Sequence, residues 1–157
     1  MAIKVGEKIP DVKLKRTNMQ DVTTSELFSG KKVVIFAVPG AFTPTCSEKH
    51  LPGFIEKADE IKARGVDTVA CVSVNDAFVM GAWGADRGAE DKVLMLADGS
   101  ADFSKAIGLD FDGSKFGMGV RSQRYAAVVE DGVVKTLAVE KPMKFEVSSA
   151  EAILKAL

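Results

Sequence analysis

KKVVIFAVPGAFTPTCSEKHLPGF, Lys31 to Phe54, carries both the fold and the chemistry of this chain. Its first part, Lys31 to Val38, is an unbroken apolar run of strand length, rich in β-branched residues, and such a run is buried on both faces of a sheet. It delivers the chain to Pro39 and then to Cys46, so the thiol lies beyond the carboxyl end of a central strand, where open α/β sheets place their sites. Thr43 is suited to cap a helix, Pro44 then takes the first helical position, where its missing N–H is not needed, and Cys46 takes the third. The thiol thereby joins a first helical turn, whose free N–H groups and dipole favour an anion and raise the thiolate fraction. Thr43, three positions before the sulfur, can aim its hydroxyl at the same turn. Most lone cysteines are small buried hydrophobes. The Thr-Pro-x-Cys arrangement sets Cys46 apart from them.

Outward from this stretch the chain alternates strands and helices. FIEKADEIKARG, from Phe54 to a stop at Gly65, has Phe54, Ile55, Ala58 and Ile61 at helical spacing. Val66 to Asp76 is a second β-branched run, with Asn75 or Asp76 placed to cap the helix AFVMGAWGADRG. Val93 to Asp98 reads as a third strand and ADFSKAIG as a short helix. This β-α-β-α order makes right-handed crossovers and parallel pairing the expectation. On the amino-terminal side, Val5 to Pro10 is a loop, Val12 to Arg16 a strand or hairpin arm, and SELF a single helical turn closed by Gly30. On the carboxyl-terminal side, DFDGSKFGMGVRS is an irregular loop, functional, interface-forming or mobile. RYAAVVEDGVVKTLAVE is a hairpin turning at Glu130-Asp131-Gly132. A last helix spans Ser148 to Leu157 behind a Ser-x-x-Glu capping box. The whole is one domain, 1–157, of the α/β class: a central mixed sheet flanked by helices, in the thioredoxin-like layout.

Composition narrows the function. The 157 residues are 46% hydrophobic and 27% charged with a net charge of −1, average values that leave no footprint for nucleic acid and no sign of disorder. No apolar run approaches the ~20 residues that span a bilayer. The N-terminus lacks the apolar core of a signal peptide, which points to a cytoplasmic protein. Two cysteines and one histidine are too few for a structural zinc site or a disulfide framework. Cys46 and Cys71 lie too far apart for a C-x-x-C dithiol. Any redox chemistry is started by one thiol alone, with no metal or other cofactor.

PGAFTPTC, Pro39 to Cys46, resembles the P-x-x-x-T-x-x-C motif of the peroxiredoxins, and CSEKHLPGF resembles its form in their type II, or peroxiredoxin-5, branch. ACVSVNDAFVMGAW around Cys71 and RYAAVVEDG after Arg124 resemble the same branch in the same order, so the likeness covers nearly the whole chain. The resemblance implies a thioredoxin-fold peroxidase whose Cys46 attacks hydrogen peroxide or an organic hydroperoxide and becomes a sulfenic acid. It implies that Thr43 hydrogen-bonds the peroxide and the sulfur, that N–H groups near Thr45 and Cys46 hold the oxygens, that Arg124 supports the thiolate, and that Pro39 shields the sulfur from water. Phe42 would add an apolar rim suited to alkyl hydroperoxides. It also implies a homodimer through loops near the site, with Phe42, Phe78, Val79 and the 112–120 loop as candidates. Phe116, Met118 and Trp83 otherwise read as core or interface residues.

Four residues leave alternatives. Arg121 lies three positions before Arg124, and composition does not choose between them; the resemblance favours Arg124, with Arg121 as loop or support. His50, four positions after Cys46, could share its helix face as in a Cys-His hydrolase. No orienting partner is identifiable, so His50 reads as a polar residue near the pocket rim. Cys71 sits mid-strand among apolar residues and reads as inert. The branch's carboxyl-terminal resolving cysteine has no counterpart in KFEVSSAEAILKAL, which implies a 1-Cys cycle recycled by glutathione with glutaredoxin, or by thioredoxin as second choice. Two other classes compete: a thiol-disulfide oxidoreductase, disfavoured by the missing C-x-x-C, and a noncatalytic binding or chaperone-like module that keeps the fold but has no need of Thr43, Cys46 and Arg124 together.

Overall fold

The computed structural model describes residues 1–89 and 91–157. Its organising element is the apolar run 31–38, which forms β3 (Lys32–Ala37), an interior strand of a seven-stranded sheet. β4 (Thr68–Ser73) and β5 (Leu94–Ala97) continue from it in parallel, joined by helical crossovers. On its other side β8 (Tyr125–Glu130) and β9 (Val133–Val139) run antiparallel as a hairpin. β1 (Lys13–Arg16) pairs antiparallel with β5, and β2 (Asp21–Thr23) closes that edge. The order is β2-β1-β5-β4-β3-β8-β9, the mixed sheet of the thioredoxin-like fold. Parallel pairing holds only where a helix intervenes, because a tight turn returns the chain in the opposite direction.

Strand periodicity sorts the core into two layers. Val34, Phe36, Val69, Cys71, Ala126 and Val128 face one side with Cys46. There they meet α2 (Leu51–Ala63), α3 (Ala77–Arg87) and α5 (Ala150–Ala156) through Leu51, Phe54, Ile61, Met80, Trp83 and Ile153. Val33, Ile35, Ala70, Val72 and Val129 face the other side, where α1 (Thr24–Phe28) and α4 (Asp102–Ala106) supply Leu27, Phe28 and Phe103. Full burial of each Val, Leu, Ile, Phe or Met side chain among them is worth about 1.5–3 kcal/mol. Among the described residues no helix is long and apolar enough to cross a membrane.

Several local expectations are corrected. The helical turn expected at Pro44 and the helix expected from Phe54 are one helix, which begins at Pro44 and runs through a π-turn at Cys46–His50 into α2. The Leu51 N–H reaches back to the Cys46 carbonyl, an i→i+5 bond that widens the helix just ahead of Pro52, which has no N–H of its own to give. The 110–122 segment is not irregular. β6 (Asp110–Asp112) and β7 (Val120–Ser122) pair as a small hairpin, closed by Gly113 N–H on the Gly119 carbonyl at 2.6 Å. Gly117 and Gly119 take φ of +69° and +67° in its tip, a backbone that side-chained residues rarely adopt. Strands of three residues are too short to carry an alternating signal. The last helix is capped by Ser149, which accepts from Ala152 N–H, while the hydroxyl of Ser148 is given to Glu140. Of the two candidates for the cap of α3, Asp76 accepts from Val79 N–H at 2.8 Å. Asn75 is used elsewhere.

Candidate active site

The loop that leaves β3 is shaped by hydrogen bonds that its own sequence supplies. Thr43 donates its hydroxyl to the Gly40 carbonyl at 2.7 Å, and Thr43 N–H reaches the same carbonyl at 3.4 Å. This closes a turn over Gly40–Thr43 in which Phe42 is held at φ +64°, a strained backbone kept only because its surroundings impose it. Thr43 does precede the helix, but its hydroxyl does not cap it. Asn75 Oδ1, at the end of β4, accepts from Ala41 N–H at 3.0 Å and from the Ser73 hydroxyl at 2.7 Å. A side chain at Gly40 would be crowded: a Cβ there would lie 3.2 Å from Thr43 Cγ2 and 3.3 Å from Arg121 Nη1.

Cys46 emerges from this turn in the first turns of the long helix, with no exposed surface. Arg124, immediately before β8, donates from Nη2 to the Cys46 sulfur at 3.0 Å. No other side chain among the described residues hydrogen-bonds that sulfur. The two residues come from distant parts of the sequence and meet because β8 pairs with β3, placing Tyr125 beside Ala37 at the strand end from which the Cys46 loop departs. Arg121 does not approach the sulfur. Its Nε donates to the Met118 carbonyl at 2.9 Å and its Nη1 to the Val74 carbonyl at 3.2 Å, so it ties the β6–β7 hairpin to β4 and to Gly40, the supporting place left open for it.

His50 is not at a rim. It is fully buried, packed between Phe36 and Phe145 with ring centroids 4.9 Å away on each side. Its Nδ1 faces Arg124 Nη1 at 2.8 Å and its Nε2 lies 2.9 Å from the Ser148 carbonyl. Both ring nitrogens are thus engaged away from the sulfur, and no Cys-His proton transfer pair exists. Burial, and then the adjacent Arg124 cation, push the imidazole down to about 3, so it is neutral at physiological pH.

Cys71 lies mid-strand with Phe36 and Met95 as cross-strand neighbours and has no exposed surface. Burial pushes its thiol well up, with the charge of Cys46 adding to the effect. Both cysteines are free thiols. Thr43, Thr45 and Pro39 are half-buried around the turn, while Phe42 is half exposed with its ring 6.4 Å from that of Trp83. Trp83 itself is buried and donates to the Ser47 hydroxyl at 2.9 Å, locking α3 to the residue after Cys46. Phe78 and Phe116 are largely exposed. A buried thiol with a guanidinium donor, at the start of a helix, is suited to nucleophilic attack by sulfur in which the developing charge is matched by fixed donors.

His50 and the segment that holds it were beyond sequence reading. The only available signal was that the chain's single histidine falls one helical turn after the cysteine.

The Redoxin family matches residues 4–154. The chain is 55% identical over 163 residues to the chloroplastic peroxiredoxin-2E-2 of Oryza sativa subsp. japonica, covering 99% of this chain and 72% of that one. It superposes on the reduced Prx3 of Vibrio vulnificus in complex with H2O2 with a TM-score of 0.95, at 59% identity over 98% of each chain. It superposes on peroxiredoxin 5 of Alvinella pompejana with a TM-score of 0.89, at 36% identity, covering 98% of this chain and 97% of that one.

Proposed function

This chain belongs to the peroxiredoxins, thiol peroxidases of the Redoxin family, and we propose that it runs a 1-Cys cycle in which Cys46 is oxidised by peroxide and restored by glutathione with glutaredoxin. The reading rests on one observation: the Cys46 sulfur is held 3.0 Å from a guanidinium nitrogen of Arg124 at a helix start. The Cys46 thiolate attacks the terminal oxygen of the hydroperoxide. An S–O bond forms, the O–O bond breaks, and the departing oxygen leaves as alkoxide or hydroxide and takes a proton, so that sulfur loses two electrons and becomes the sulfenic acid. Arg124 meets charge on sulfur and on the leaving oxygen. Thr43 and the N–H groups near Thr45 and Cys46 orient the oxygens, Pro39 limits water, and Phe42 offers apolar surface to an alkyl group.

Glutathione then attacks the sulfenic sulfur, releasing water and leaving a mixed disulfide, which glutaredoxin reduces with a second thiol equivalent. The support for an external reductant is that the one other thiol, Cys71, is fully buried mid-strand and its ionisation is suppressed by burial. Purified protein is expected to consume hydrogen peroxide and an alkyl hydroperoxide with glutathione, glutaredoxin, glutathione reductase and NADPH, faster than with a thioredoxin system. Turnover with thioredoxin alone would overturn the assignment of reductant and leave the peroxidase standing.

A homodimer is the second part of the reading. Phe42 and Phe116 are 51% and 67% exposed and Phe78, in the first turn of α3, is 71% exposed, and exposed large apolar side chains of this kind mark interaction surfaces. Sedimentation at micromolar concentration is expected to show a dimer that Phe78→Glu converts to monomer; a monomeric wild type would exclude this.

A further inference from the structure

The guanidinium that meets the sulfur is itself held by a closed circuit of hydrogen bonds, none of which lies in the active-site motif. Arg124 Nη1 faces His50 Nδ1 at 2.8 Å. A guanidinium can only donate, so Nδ1 must accept, and the neutral ring must carry its proton on Nε2. That N–H points at the Ser148 carbonyl, 2.9 Å away. Ser148 in turn is fastened to Glu140: its N–H and its hydroxyl both donate to Glu140 Oε2, at 2.8 and 2.7 Å, and the N–H groups of Glu146 and Val147 reach the same oxygen at 2.8 Å. Glu140 N–H donates to the Arg124 carbonyl at 2.9 Å, which returns the circuit to its origin. Phe145, carried on the clamped segment, covers the pair, 4.9 Å from the His50 ring and 5.7 Å from Arg124 Cζ.

We propose that His50, locked as the Nε2–H tautomer and anchored through Ser148 to Glu140, is a positioning residue that fixes the Arg124 guanidinium on the Cys46 sulfur. With Nη1 pinned to the imidazole, the planar fork has little freedom left, and Nη2 is aimed at the sulfur before any substrate arrives. A ring that titrated near neutrality would lose its acceptor and push the guanidinium away. Burial prevents this, and the charged groups that face the ring, Arg124 and Glu140, act on it in opposite directions. The proposal rests on Cys46 being the nucleophile, as read above.

The chain has one histidine, so protein labelled with nitrogen-15 in histidine gives the Nδ1 and Nε2 signals of a single imidazole, readable in the wild type. The expected result is the Nε2–H tautomer, unchanged from about pH 8 to about pH 5, with the Nδ1 signal displaced when Cys46 is oxidised. A ring that titrates in that range, or one protonated on Nδ1, would overturn the proposal. The second arm compares variants. His50→Leu is expected to slow the reaction with peroxide about tenfold or more, because a misplaced donor is a weak one, and to slow iodoacetamide alkylation of Cys46 at neutral pH. His50→Gln, whose amide can accept from Arg124 and donate to Ser148, should stay within about threefold of wild type. Equal losses in folded Leu and Gln variants, or no loss in either, would also overturn it. Should His50→Leu fail to fold, the tautomer and the Gln variant still decide. Peroxide turnover that survives loss of the Cys46 thiol would instead remove the underlying reading, while leaving the tautomer assignment intact.

Discussion

Cys46→Ser is expected to bring peroxide consumption down to the uncatalysed background with either reducing system. A serine hydroxyl stays protonated at neutral pH and is a poor nucleophile toward peroxide oxygen, so the two electrons that sulfur gives up have no other source in the site. Cys71 cannot take over. It is buried among Phe36 and Met95 on the sheet, without exposed surface and with its thiol driven toward the neutral form. The companion variant, Cys71→Ser, is therefore expected to keep most of the wild-type activity. Mass spectrometry after one equivalent of peroxide should find the added oxygen on Cys46 in wild type and nowhere in Cys46→Ser. Retention of about a tenth of the turnover in Cys46→Ser would refute the assignment of the nucleophile. A Cys46–Cys71 disulfide in the oxidised wild type, with turnover lost in Cys71→Ser, would replace the 1-Cys cycle by an internal one.

Arg124→Leu should slow the first step by about two to three orders of magnitude, the loss seen when a fixed donor to developing charge is removed. The Cys46 sulfur has no exposed surface, so water cannot replace the Nη2 donor without opening the site. Leucine keeps apolar contact with Phe145 but leaves both the thiolate and the departing oxygen unmatched. Arg124→Lys is expected to recover only part of the loss, because an ammonium is a compact charge that cannot span His50 Nδ1 and Cys46 Sγ as the two guanidinium nitrogens do. Stopped-flow tryptophan fluorescence reads this directly: Trp83 is the chain's one tryptophan and is bonded to Ser47, next to Cys46. A folded Arg124→Leu protein reacting within about threefold of wild type would mean that the 3.0 Å contact is incidental to the chemistry.

Much of the architecture could be read without coordinates, because the features that carry it are local. The run at 31–38 has the length and branching of a doubly buried strand, and it forms an interior strand paired on both edges. The spacing of Phe54, Ala58 and Ile61 matches the buried stripe of α2. The turn at Glu130-Asp131-Gly132 joins two runs that do pair as β8 and β9. Boundaries were less legible where a tertiary partner competes for a local signal. Ser148 has the residue type and spacing of a capping box, yet Glu140 takes its hydroxyl and the cap passes to Ser149. Pro52 and Gly53 look like a helix boundary, yet both lie inside α2, which follows directly on the π-turn at Cys46–His50.

The same division runs through the site. Pattern alone singled out Cys46, because a cysteine behind Thr43 and Pro44 at a helix start follows from local backbone chemistry, and it kept Cys71 in the core because a thiol in a β-branched run is buried. Which arginine reaches the sulfur was a different kind of fact. Composition does not separate Arg121 from Arg124 and only the family resemblance favours Arg124; the physical reason is the β3–β8 pairing, which brings the start of β8 to the loop after β3 while Arg121 is spent on the carbonyls of Met118 and Val74. His50 depends still more on the fold. Its burial, its single tautomer and its grip on Arg124 come from a segment ninety-eight positions away that Glu140 gathers into place. Sequence by itself singled out Cys46 as the candidate thiol and laid out the layers, which rest on neighbours in the chain; tertiary structure decided how a guanidinium meets that thiol and what supports it, because those contacts join residues that only the folded sheet brings together.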